Sequence, residues 1–213
     1  RALEVYRPLV VERRGQVGLE LAAKFLNLSQ VCGMAGLVEE ALQAGRDALA
    51  ICEGAECEGE SAQALGLRSR HSLCVVLGRL LVPNARDSSP AFPAWLAEAS
   101  DLVEDALSER GGRGGSAEVT QTALRLFEFG AWLYRTHQPQ FLKEFLLEYT
   151  GDDLDRARVA AAAVAAARQG LVQRDFNDQT HGGSELLARV VKDLVEVDNY
   201  LLLLNSKQAS SRA

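Results

Sequence analysis

The chain has 213 residues, 47% of them hydrophobic and 24% charged, with a net charge of −6 at pH 7. That is a globular profile with enough length for a sizeable core. The acidic balance argues against a nucleic-acid surface. No run of about 18 uncharged apolar residues is present, which argues against a membrane span.

Arg1 to Arg14 reads as a helix with Ala2, Tyr6 and Leu9 on one side. Pro8 should kink it or delay its start, and Gly15 breaks it. Because the first residue is Arg rather than Met, the chain is expected to be a piece of a longer protein. Gln16 to Leu21 leads into Ala22 to Glu53, the stretch on which the rest is patterned. Ala22, Phe25, Leu28, Val31 and Cys32 recur at helical steps and predict one apolar face. Small residues among them (Ala23, Ser29, Gly33, Ala35) would let a neighbouring helix come close. Gly36 should end this helix, since glycine accepts the left-handed conformation without steric cost. Val38, Ala41, Leu42, Gly45, Ala48, Leu49 and Ile51 then predict a second helix. Glu39 and Glu40 sit in its first turn, where negative charge suits the helix dipole. The pair should fold back antiparallel with a tight crossing.

Glu53 to Glu60 is acidic and reads as a connection. Ser61 to Val82 predicts a long helix, with Leu65, Leu73, Val76, Leu77 and Leu80 inward. Residues 82–93, VPNARDSSPAFP, read as an inserted loop. Ala94 to Arg110 predicts its partner helix, with Leu96, Ala99, Leu102, Val103, Ala106 and Leu107 inward. Gly111 to Gly115, GGRGG, reads as a linker rather than a nucleic-acid tract. Ser116 should cap a helix reaching His137 and carrying Leu124, Phe127, Phe129, Trp132, Leu133 and Tyr134. Pro139 opens a further helix, Phe141 to Tyr149, that Gly151 ends. Asp152 to Gln169 contains AAAVAAA, a strong helix former whose small face implies close packing. Gly170 to Gly183 reads as polar and irregular. Ser184 should cap the last helix, with Leu187, Val190, Leu194, Val197, Leu201 and Leu204 forming a three-four seam. Leu186, Val191 and Val195 should bury it on more than one side. Residues 206–213 read as a frayed tail behind a single domain spanning 1–205.

On the residues of Ala22 to Glu53, this stretch resembles a tetratricopeptide repeat, a helix–turn–helix unit of about 34 residues. Counting from Ala22, Phe25 and Leu28 fall on the large apolar fourth and seventh positions and Ser29 on the small eighth. Gly36 falls on the turn, and Ala41 and Ala48 on the small positions of the second helix. Gly45 stands where the family usually has an aromatic, and Glu53 where it usually has proline. The corresponding positions Ala2, Ala41, Ala99 and Leu142 are spaced 39, 58 and 43 apart, longer than the family's period. The resemblance implies an all-α fold: antiparallel helix pairs stacked as a short, TPR-like right-handed superhelix, with longer helices or insertions. The same pattern also fits a four-helix bundle or an irregular α-domain.

Chemistry finds little support. His71, His137 and His181 have no carboxylate or cysteine at ligand spacing, so no catalytic residue and no metal ligand is assigned. There is no phosphate loop, no G-x-S-x-G and no H-E-x-x-H. No cofactor is implied. Cys32, Cys52, Cys57 and Cys74 fit no zinc pattern. They read as reduced core cysteines of a cytoplasmic protein, with a Cys52–Cys57 disulfide as the alternative.

Binding is what remains. The resemblance implies a concave face formed by the first helix of each pair, here carrying Ala23, Leu26, Asn27, Gln30, Gly33 and Met34. Asn27 falls where the family often uses an amide to hold an extended peptide, since an amide donates and accepts at once. Leu26 stands where carboxylate-gripping members have Lys, so no such clamp is expected. On the next first helix, Arg68, Arg70 and Arg79 are candidates for an acidic partner. The expected partner-binding set is Asn27, Gln30, Met34, Arg68, Arg70 and Arg79. The expected role is a scaffold for a protein or extended peptide. A peptide-sensing regulatory domain and a helical enzyme are the competing readings.

Overall fold

The computed structural model describes residues 16–54, 59–84, 90–108, 117–151, 153–177 and 181–211. Among them the secondary structure is entirely helical: α1 (Gln16–Met34), α2 (Val38–Glu53), α3 (Glu60–Asn84), α4 (Phe92–Ser108), α5 (Ala117–His137), a 3₁₀ turn (Pro139–Phe141), α6 (Leu142–Thr150), α7 (Leu154–Asn177) and α8 (His181–Ser211). The helix expected over residues 1–14, the GGRGG linker, the Ser116 cap and Cys57 lie outside the described residues. The chain divides into two compact units, 1–126 and 127–213, and the division falls within α5.

In the first unit α1 packs on both α2 and α3, α2 packs on α3, and α3 packs on α4. The α1–α2 turn forms as the sequence predicts. Gly36 has φ +79°, and its N–H donates to the Gly33 carbonyl while the Leu37 N–H donates to the Cys32 carbonyl. Together these two bonds satisfy carbonyls that the helix end would otherwise orphan. The crossing is closed by small residues. A Cβ on Gly45 would lie 2.6 Å from Leu73 Cδ2 and 3.2 Å from Ser29 Oγ. Ser29 is fully buried, donates from Oγ to the Ala41 carbonyl at 2.8 Å, and lies 3.5 Å from the Ser72 hydroxyl. Around this seam Leu21, Phe25, Leu26, Ala44 and Ala48 form an apolar cluster, with Ile51 and Leu65 packed on it.

Two residues expected on the buried face of α1 face outward: Val31 is 56% exposed, and Leu28 is also exposed. Leu26, expected on the open face, is buried, and so is Gly33. The reason is that α1 has two neighbours. Its closest approach runs along Ser29 and Gly33, so the buried arc centres on the small residues rather than on the large ones. The expected loop 82–93 is also shorter than predicted, since α3 continues to Asn84 and α4 begins at Phe92.

In the second unit the rings of Phe127 and Phe145 stack at 5.3 Å between centroids. Tyr134 and Tyr149 close on Phe145 at 4.8 and 5.1 Å. The helix α7 buries Ala157, Ala160, Val164, Ala167 and Leu171, and α8 buries Val190, Leu194, Val197 and Leu201. Both sets step by three and four, which gives an antiparallel seam with mostly small residues on one side and large ones on the other. Arg168 crosses it, 3.2 Å from Asp198. The α8 seam follows the predicted spacing, but its other side stays open: Leu186 and Val195 are exposed. The stretch expected to be irregular is helical at both ends, since α7 runs to Asn177 and α8 starts at His181. Ser184 therefore lies inside α8 rather than capping it. Gly182 and Gly183 each weaken a helix by only about 1 kcal/mol, which tertiary packing outweighs. The helix also continues to Ser211, past the expected tail boundary at 206.

Candidate interaction surface

Helices α1 and α3 lie side by side with residues 43 positions apart facing each other, as at Ser29 and Ser72. A Cβ on Gly33 would meet Val76 Cγ2 at 3.5 Å. Arg79 reaches back over this seam and donates from Nη1 to the Gly33 carbonyl at 2.6 Å. That bond supplements the α1 terminus and pins the two helices at one level. It also orients the surface. Arg68, Val75 and Val82 lie three to eleven residues from Arg79 at helical steps, so they share its side of α3. On α1, going round the helix from Gly33, the next residues are Gln30, Met34 and Asn27. By helical phase these residues lie on the open sides of α1 and α3 that flank their shared seam, the α1–α3 strip.

Its composition is mixed. Met34 is 74% exposed, Val82 63% and Val75 42%, while Asn27, Gln30, Arg68 and Arg79 are exposed polar groups beside them. Five of the six sequence-predicted residues, Asn27, Gln30, Met34, Arg68 and Arg79, are exposed on α1 and α3. The sixth is not: Arg70 is only 3% exposed and pairs with Glu53 at 2.7 Å. It points back toward α2 and belongs to the fold, not to the open strip. Helical phase separates it from Arg68 and Arg79, a difference that a list of arginines conceals. Val75 and Val82 were not singled out from the sequence. Their step of seven residues, in register with Arg68 and Arg79, is the signal that could have found them.

Charge is divided between the two layers of this unit. The helices α1 and α3 carry Lys24, Arg68, Arg70 and Arg79 against Glu20 and Glu60. The helix α2 carries Glu39, Glu40, Asp47 and Glu53 against Arg46 alone. On α4 are Glu98, Asp101, Glu104 and Asp105 with no base at all. The guanidinium of Arg46 is held by Glu98 through two bonds of 2.7 and 2.6 Å, and this hydrogen bonding raises its already high pKa. His71, half-buried on α3, has its pKa lowered by burial and then by the positive charge of Arg125 on α5. The neutral imidazole is thus favoured.

Burial first, and the nearby Glu98 second, push the Cys74 thiol far above its ordinary pKa, so it stays protonated and unreactive. Cys32 and Cys74 are free, buried thiols. Among the described residues no group of three His, Cys, Asp or Glu side chains could hold a metal ion, and no helix is long and apolar enough to cross a membrane. The chain matches none of the protein-family models, curated proteins or solved structures with which it was compared.

Proposed function

We propose that this chain is a protein-interaction module, a TPR-like array of antiparallel helix pairs that holds a partner protein or an extended peptide on the α1–α3 strip. One observation carries the reading. Met34, Val75 and Val82 are exposed apolar side chains on two helices that are locked together, interleaved with amides and guanidiniums. Isolated exposed apolar residues are ordinary, but a contiguous group rimmed by polar side chains marks a binding surface. The amides of Asn27 and Gln30 can each donate to and accept from a peptide backbone, and the apolar groups supply the area. The role requires no cofactor and no chemistry from the chain itself.

The test is an affinity capture of binding proteins with three forms of the chain. Wild type and a charge change on the opposite layer, Asp101→Lys, should recover the same partner. Met34→Glu combined with Val82→Glu should lose it. Equal recovery by all three would contradict the assignment.

A further inference from the structure

We infer that the segment bound on the α1–α3 strip is acidic, with apolar side chains between its carboxylates. This inference rests on the reading of the strip as a binding surface and adds the chemistry of what occupies it. Two independent observations carry it.

The first is the state of Arg79. The buried guanidinium of Arg70, on the other side of α3, is neutralised by Glu53, and Arg46 on the other layer by Glu98. Arg79 instead donates to a neutral carbonyl, and among the described residues it has no acidic partner. A guanidinium has five donors in a rigid fork. With one nitrogen fixed to the Gly33 carbonyl, the head group is held still over the seam with donors left for an incoming carboxylate. Charge-assisted bonds to a preorganised guanidinium are the strong ones, and little side-chain entropy remains to be lost on binding.

The second is the division of charge. The net charge of −6 opposes an acidic ligand at long range, but the opposition is not uniform. The acids are concentrated on α2 and α4, while α1 and α3, leaving aside the paired Arg70, carry Lys24, Arg68 and Arg79 against Glu20 and Glu60. Screening at physiological salt limits these fields to about 8 Å, so what an approaching segment meets is the local layer. An acidic segment is repelled from the α2–α4 side and admitted on the α1–α3 side, while a basic segment is drawn to the wrong layer. Charge arranged in this way selects a docking face as well as a partner. The apolar requirement follows from Met34, Val75 and Val82, which a purely acidic chain would leave in water.

A random 12-residue peptide library displayed on phage, selected on the immobilised chain, tests this directly. The selected peptides are then made with a fluorescent label and titrated by anisotropy. The expected result is enrichment of Asp and Glu together with Leu, Ile or Phe. Binding should weaken about tenfold on Arg79→Gln, the equivalent of 1.4 kcal/mol, and weaken further as NaCl rises from 50 to 500 mM. Arg79→Gln keeps a donor for the Gly33 carbonyl, and circular dichroism checks that the fold is intact. Neutral or basic peptides that are lost on Met34→Glu with Val82→Glu would overturn the acidic assignment while leaving the strip as a binding surface. Peptides indifferent to both sets of changes, or no selected peptides, would overturn the surface itself.

Discussion

Where α2 meets α3, a Cβ on Gly45 would fall 2.6 Å from the Leu73 side chain, whereas the α5–α6 contact is filled by Phe145 and the three aromatic rings against it. The first unit brings its helices together by leaving side chains out. The second does so by filling the space between them. The two devices fail in opposite ways, one on addition and one on removal. They also differ in what they leave over. Close approach in the first unit uses the small face of α1, so large apolar residues such as Met34 are not drawn inward. In the second unit the large residues are the core.

The largest effect should come from removing the filler. Phe145→Ala deletes the ring that three others contact and should cost about 3–5 kcal/mol, read from denaturant unfolding. Adding a methyl where the first unit excludes one comes next. Gly45→Ala should destabilise by about 1–3 kcal/mol, although alanine favours a helix over glycine by about 1 kcal/mol, because buried Leu73 must shift. A stabilised Gly45→Ala variant would show that the close approach is not as described. Third, Arg70→Ala should cost about 1–2 kcal/mol and Arg70→Met less, because the methionine retains the packing of the stem and the half-exposed Glu53 can turn to water.

The smallest effect is a pH dependence. The pKa of His71 is lowered in the folded chain from its ordinary value of 6.5. The unfolded state therefore binds the proton more readily, and the contribution of the neutral imidazole to stability is complete above that value. It is lost as pH falls from 6.5 towards the lower folded value. Thermal melts of wild type and His71→Gln between pH 7.5 and 5 should diverge in that direction, with wild type losing more. Parallel curves would remove His71 from the account.

Much of this architecture was legible because its signals are local. Gly36, the Ser29–Ala41–Ala48 pattern of small residues and the three-four seam of α8 each specify geometry within a few residues. Helix ends were less legible. The chain through Gly170–Asn177 and His181–Gly183 has weak intrinsic preference, and packing decides it. The site was legible as a set of residue types but not as a surface. Which exposed residues of α1 and α3 flank one seam depends on contacts such as that of Arg79 with the Gly33 carbonyl, 46 residues apart. Arg70 was misplaced because its ion pair with Glu53 is likewise long-range, as are the two neighbours of α1 that turn Leu28 and Val31 outward.

A binding face exists only if the α1–α3 strip is left open by the fold rather than covered by it. The direct measurement is the unfolding free energy of the chain with Met34→Glu and Val82→Glu together. The expected value lies within about 0.5 kcal/mol of wild type, as for substitutions on a true surface. A loss of about 2 kcal/mol or more, comparable to a core substitution, would mean that the chain buries these side chains itself, and no binding face would remain.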